Sequence, residues 1–162
     1  MQTLPGGASQ LARMVLRLFF PTTGDSLASG IVISGPDGSY VVKAKFVGFL
    51  ADLKEHKTIT EWKDIAGNLC CLQCTNVNRA VVGTRDDGTV GLDCSDPGLF
   101  RRRSDDQLRD IVSSLVVGKG RTSKTAFAKY QTQVGIKYCP DGILFDNNLR
   151  GLYNPVEHII VD

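Results

Sequence analysis

Apolar residues recur at helical spacing near the start of the chain. Leu11, Met14, Val15, Leu18 and Phe19 fall at i, i+3, i+4, i+7 and i+8. Ser9 occupies an N-cap position, and Pro21 and Gly24 end the pattern, so the spacing predicts a helix with its apolar stripe against the core. Arg13 and Arg17 are too few for the basic face of a membrane-surface helix, and they interrupt what would otherwise be a secretory apolar stretch. The apolar pattern then turns β-rich. Ile31–Ser34 and Tyr40–Val47 flank Gly35-Pro36-Asp37-Gly38-Ser39, where proline presets φ and Asp-Gly permits a left-handed residue, which predicts a hairpin. The second run extends through Phe49, Leu50 and Ala51 to Asp52. Leu53–Ala66 is rich in helix formers, and Gly67 offers a left-handed C-cap. Asp52 therefore lies where a strand gives way to a helix. Functional side chains gather at such points in α/β domains, but helix starts also favour Asp as a cap, and the local sequence favours capping.

Residues 68–96 read as loop with short strands, Ala80–Val82 and Thr89–Leu92 being joined by Arg85-Asp86-Asp87-Gly88. Ser104 and Gln107 then form a capping box, followed by Leu108, Ile111, Val112, Leu115 and Val116 in helical period up to Gly118. A second short helix is expected from Ser123 to Val134, closed by Gly135. The tail ends in Ile159-Ile160-Val161-Asp162, a strand expected to be cut in mid-element, so the chain reads as a fragment. The fold class expected is α/β, with a mixed α+β arrangement as its variant. Three regions are expected: 1–67, with the helix, hairpin and strand-Asp-helix; 68–100, a cysteine-containing insertion; and 101–162, helical with a final strand.

The chain has 162 residues, one domain's worth, and Lys+Arg 19 against Asp+Glu 17 leaves only +2. That balance gives no whole-chain pull toward nucleic acid or membrane. No apolar run approaches the roughly 20 residues that span a bilayer. No glycine-rich phosphate loop is present, so no nucleotide cofactor is expected. The five cysteines, Cys70, Cys71, Cys74, Cys94 and Cys139, are odd in number and crowded, a poor disulfide framework. An intracellular location, nuclear or cytoplasmic rather than secreted, is expected.

Cys71-Leu72-Gln73-Cys74 is the densest chemical feature. Two thiolates at this spacing reach one tetrahedral zinc at about 2.3 Å. Cys94 is the foremost further ligand and His56 the second, with Cys70, Cys139 and His158 also available. The competing reading is a set of small buried hydrophobes. Thioredoxin-like redox chemistry fits less well, because the motif follows a Gly-Asn loop instead of opening a helix. The two histidines lie in no motif that names a nucleophile. Arg101, Arg102 and Arg103 form one basic patch, and Lys119, Arg121, Lys124 and Lys129 another. Both suit phosphate contacts, against plainer readings as a solvated helix entrance and a polar loop.

The order of these features resembles a family. Phe46-Val47-Gly48-Phe49-Leu50-Ala51-Asp52-Leu53-Lys54-Glu55-His56-Lys57 is similar to the strand-Asp-helix segment of cut-and-paste DNA transposases of the CACTA and Plavaka-like kind. In these an apolar strand closed by (A/G)D is followed some twenty residues on by glycine and CxxC, as in the stretch from Asp64 through Gly67 to Cys74 and Val77 here. Pro140–Asp146 and Pro155–Asp162 resemble the segment leading to that family's D-x-x-H region. The resemblance covers Phe46 to Asp162 in order. It implies an RNase H-like core whose carboxylates hold two Mg²⁺ ions for in-line attack on phosphodiesters, with a zinc-stabilised CxxC insertion. Asp52 would be the second metal-binding carboxylate and Asp162 the aspartate of the D-x-x-H region. A first-strand aspartate is not identifiable upstream of Asp52, and the catalytic glutamate is expected beyond Asp162. The implied reading is a truncated or domesticated transposase-like fragment, inactive as an isolated chain, with DNA as partner and Mg²⁺ only if further sequence completes the site. The alternative is a small zinc-stabilised module that binds nucleic acid or protein without catalysis.

Overall fold

The computed structural model describes residues 4–77 and 96–161. Cys94, Asp162 and the expected strand pair within 80–92 lie outside the described residues. The described residues form a mixed α/β structure. In chain order the elements are α1 (Gly7–Phe19), β1 (Ile31–Gly35), β2 (Gly38–Val42), β3 (Phe49–Ala51), α2 (Leu53–Ile59), α3 (Asp105–Lys119), α4 (Lys124–Val134) and β4 (Ile159–Val161). Short 3₁₀ turns cover Asp64–Ala66, Pro97–Leu99, Ile143–Phe145 and Asn147–Leu149. No described helix is long and apolar enough to cross a membrane.

The hairpin forms as expected, antiparallel from Ile31↔Val42 to Gly35↔Gly38. Gly38 takes φ +132 at its turn, a conformation that disfavours side chains. Strand pairing in β2 stops at Val42, five residues short of the expected Val47. The second sheet joins distant segments: β3 and β4 run parallel in the register Phe49↔Ile159, Leu50↔Ile160 and Ala51↔Val161. Gly48 allows this approach, since a Cβ there would stand 2.7 Å from the His158 carbonyl oxygen.

Helix α1 forms, but with the opposite face inward. Leu11, Met14, Val15, Leu18 and Phe19 are all exposed, while Ser9, Ala12 and Leu16 are buried. The small face wins because α1 packs closely on the 3₁₀ segment after Gly142. Ser9 Oγ accepts from the Ile143 amide at 3.0 Å, and a Cβ on Gly142 would stand 2.7 Å from that oxygen. Ser9 is thus an interior anchor, and the N-cap is Gly6. Helix α2 is also shorter than expected. It ends at Ile59, Glu61 and Asp64 adopt left-handed φ of 54 and 52, and Gly67 is extended. Long-range pairing displaces the helix there: Lys63 N–H donates to Gly135 O, and Lys137 N–H donates to Glu61 O, both at 2.8 Å.

Helices α3 and α4 match their sequence signals. Ser104 and Gln107 complete the capping box, and Gly135 closes α4 at φ 74. Two apolar clusters hold the chain together. Leu72, Leu108, Leu115, Phe127, Ile136 and Val156 form one, and Ala12, Leu16, Ile143, Leu149 and Tyr153 the other. Leu72, inside the CxxC sequence, belongs to the first cluster and ties the thiol turn to the core.

Candidate functional site

The CxxC turn is clamped from both sides. Leu72 is buried beneath it, and Gln73 Nε2 donates to the Val156 carbonyl at 3.0 Å. Its other side pairs with residues 101–103. Thr75 N–H donates to Arg101 O at 2.8 Å, Arg103 N–H donates to Gln73 O at 2.7 Å, and Cys74 bridges antiparallel to Arg102. Burial, then the neighbouring Cys71 thiol, push the Cys74 thiol up to about 11, against a lowering pull from Arg102 and Arg103. Both cysteines are half-buried and free. Two soft sulfurs three residues apart on one clamped turn are of the donor type that zinc prefers. Among the described residues no group of three or more His, Cys, Asp or Glu side chains is placed to hold a metal. Cys94, the foremost third ligand by sequence, lies outside the described residues.

His56, the second choice as zinc ligand, is committed elsewhere. It is 1 % exposed on α2, and its Nε2 lies 2.9 Å from the Ile160 carbonyl on β4. A carbonyl only accepts, so Nε2 carries the proton. The ring therefore braces α2 against β4. His158 is likewise structural, its Nδ1 accepting from the Asn154 amide at 3.1 Å while its ring meets Phe46 and Tyr153. Cys70 Sγ lies 3.8 Å from Asn68 O, and Cys139 is buried.

Asp52 stands at the carboxyl end of β3, exposed, and caps α2 as its local sequence indicates. Oδ1 accepts from the Glu55 amide at 2.8 Å. Because Ala51 pairs with Val161, the residues directly preceding Asp52 and Asp162 sit side by side on parallel strands. Asp162 itself lies outside the described residues.

The basic patches divide on inspection. Arg101 and Arg102 are exposed, but Arg103 is only 4 % exposed, which removes it from a nucleic-acid surface. Lys119, Arg121 and Lys124 are exposed around the α3–α4 link, with the Lys119 ammonium 5.3 Å from the Phe127 ring centre and 5.8 Å from that of Tyr138.

Two features escaped the sequence reading. The pairing of β3 with β4 spans more than a hundred residues and has no local signal. The burial of Arg103 does have one: it directly precedes the N-cap Ser104, the position that folds back over the first turn in hydrophobic staples. Comparisons with protein-family models, curated proteins and solved structures found no match to this chain.

Proposed function

We propose that the chain is part of a transposase-like, RNase H-type core. In this reading Asp52 and Asp162 supply two carboxylates of a divalent-cation site for phosphodiester chemistry, and the CxxC turn is a structural zinc element. The observation that carries the reading is the parallel pairing of β3 with β4, each strand leading directly into an aspartate. Ligands of α/β sheets bind outside the carboxyl ends of parallel strands, and carboxylates there suit a hard cation held by oxygen. Asp52 uses Oδ1 as a helix cap, which fixes the carboxylate's orientation and leaves Oδ2 available. When bound, Mg²⁺ would polarise a phosphoryl oxygen and lower the pKa of attacking water. The protein's own part is to hold Ala51 and Val161, the residues that directly precede the two aspartates, at one height on a braced strand pair. Cys71 and Cys74 would hold zinc through sulfur, and the ion would stabilise the 68–77 turn without taking part in the chemistry.

Two carboxylates are fewer than a two-metal centre uses, and the resemblance locates a further acid beyond Asp162. The 162-residue chain is therefore predicted not to nick supercoiled DNA in Mg²⁺ or Mn²⁺. Nicking that Asp52→Asn abolishes would show a complete site within the chain and overturn that part of the reading.

One observation favours a second reading, a zinc-stabilised binding module. The exposed Arg101 and Arg102 lie directly across from the CxxC turn, as a phosphate-contacting rim would. A salt-sensitive DNA affinity that falls in an Arg101→Ala, Arg102→Ala double variant would support it, and an affinity indifferent to the change would remove it.

A further inference from the structure

Helix α1 turns its large apolar residues away from the fold. Leu11, Met14, Val15, Leu18 and Phe19 are 41 to 74 % exposed, while Ser9, Ala12 and Leu16 make the contact with the core. The first four stand at i, i+3, i+4 and i+7, one continuous stripe down the helix. A single exposed leucine is ordinary, but five large apolar side chains side by side are not. Half-bare side chains of this size leave roughly 100 Å² each, so the stripe offers roughly 500 Å², the upper range of the largest apolar patch on a monomer.

The stripe also carries no charge. The charged residues of Gly7–Phe19 are Arg13 and Arg17, and both pair with the buried Asp146. At 3.6 residues per turn the two arginines fall on a different flank of the helix from Leu11 and Leu18. A charged partner would find nothing on the stripe to pair with, and a phosphate backbone nothing to hold it. A second copy brings the same neutral stripe, so apolar surface meets apolar surface and no like charges are opposed.

We infer that the exposed stripe of α1 is the contact through which two copies of this chain pair, the helices antiparallel about a two-fold axis. A two-fold contact presents one patch to itself, so the patch must be self-complementary. With the axis between Met14 and Val15, the middle of the stripe, Leu11 of one protomer meets Leu18 of its partner. Antiparallel helices also set their macrodipoles head to tail. Two such stripes remove about 1,000 Å² in all, the lower bound of a specific interface, so the pair is weak, with a Kd of about 10–100 µM. Pairing leaves the inner face of α1, with its contacts to Ile143 and Asp146, as it is.

Sedimentation equilibrium of the reduced 162-residue chain, from about 5 to about 500 µM, tests this, with reductant excluding disulfide-linked pairs. The parent should pass from monomer to dimer across that range. Val15→Glu, beside the axis, opposes a carboxylate to its own copy and should weaken pairing at least about tenfold. Ile65→Glu, at an exposed apolar position outside the stripe, should stay within about threefold of the parent. Leu11→Lys and Leu18→Glu should each be monomeric alone and pair when mixed, because the antiparallel arrangement sets lysine against glutamate. All four positions are exposed, so circular dichroism should match the parent. A parent that stays monomeric throughout, or pairing indifferent to Val15→Glu, overturns the inference. Pairing lost in both Leu11→Lys and Leu18→Glu and not restored on mixing overturns the antiparallel arrangement. Growth into larger assemblies without a dimer plateau overturns the two-fold contact.

Discussion

At the scale of single residues, Asp146 is a buried carboxylate held by two arginines. Its side chain is 2 % exposed, Arg17 Nε lies 2.5 Å from Oδ2 and Arg13 Nε 3.5 Å from it, and Oδ1 accepts from the Asn148 amide at 3.0 Å. Burial alone would raise the carboxyl. The Arg17 hydrogen bond, the Asn148 amide and the charges of Arg17 and Arg13 outweigh it and hold Asp146 below its ordinary 3.8. A carboxylate depressed by folding contributes stability that is present above the unfolded value and lost as pH falls through the folded one. Asp146→Asn is expected to cost about 2 kcal/mol at pH 7, and the difference from the parent should close as acid takes the pH below 3.8. Urea titrations of both chains from pH 7 to pH 2 measure this, and a gap that persists unchanged to pH 2 contradicts it. Asp52 shows the residue scale at its most legible. A capping role was readable from a strand followed by helix formers, and the carboxylate does cap α2. Arg103 shows why charge alone misleads: in a row of three arginines only the one at the staple position turns inward.

At the scale of elements, local signals decided well where the partner groups were local. The capping box of α3, the glycine stop of α4 and the two-residue turn of the β1–β2 hairpin each need only a few neighbouring residues, and each forms. Signals failed where tertiary packing chose between local options. The regular stripe of α1 is a genuine helix pattern, yet the helix lies on its small-residue side because Ser9, Ala12 and Gly142 permit a closer approach than leucine would. The same competition shortened α2, whose expected last turn gives its backbone to residues 135–137. What fixes α2 to the parallel strand pair is His56. His56→Ala removes a buried ring and leaves the Ile160 carbonyl without its donor, an expected loss of about 3 kcal/mol in urea unfolding. Hydrogen exchange should locate the damage in β3 and β4, with α3 protected nearly as in the parent. Uniform loss of protection, or a loss confined to α2, would contradict a bracing role across the two strands.

At the scale of the whole molecule, two adjoining apolar clusters of different make-up organise the described residues. One packs α3, α4 and the thiol turn around Leu115 and Ile136. The other packs α1, the 3₁₀ turns at Ile143–Phe145 and Asn147–Leu149, and Phe46, Phe49 and Tyr153, with Phe46 meeting Phe49, Tyr153 and His158 edge to face. β4 serves both, since Ile159 packs on the first cluster while its strand pairs with Phe49 of the second. That arrangement brings the carboxyl ends of β3 and β4 together although the chain between them runs through α2, the thiol turn, α3 and α4. The sequence could show each aspartate after an apolar run, but the adjacency of those runs is a property of the assembled fold. The central claim is that this adjacency builds a divalent-cation site, and its most direct measurement is the electron paramagnetic resonance of free Mn²⁺ titrated with the 162-residue chain. One weak site, lost alike in Asp52→Asn and Asp162→Asn with the fold intact by circular dichroism, is the predicted result. Mn²⁺ that stays free, or binding indifferent to both substitutions, would contradict the account.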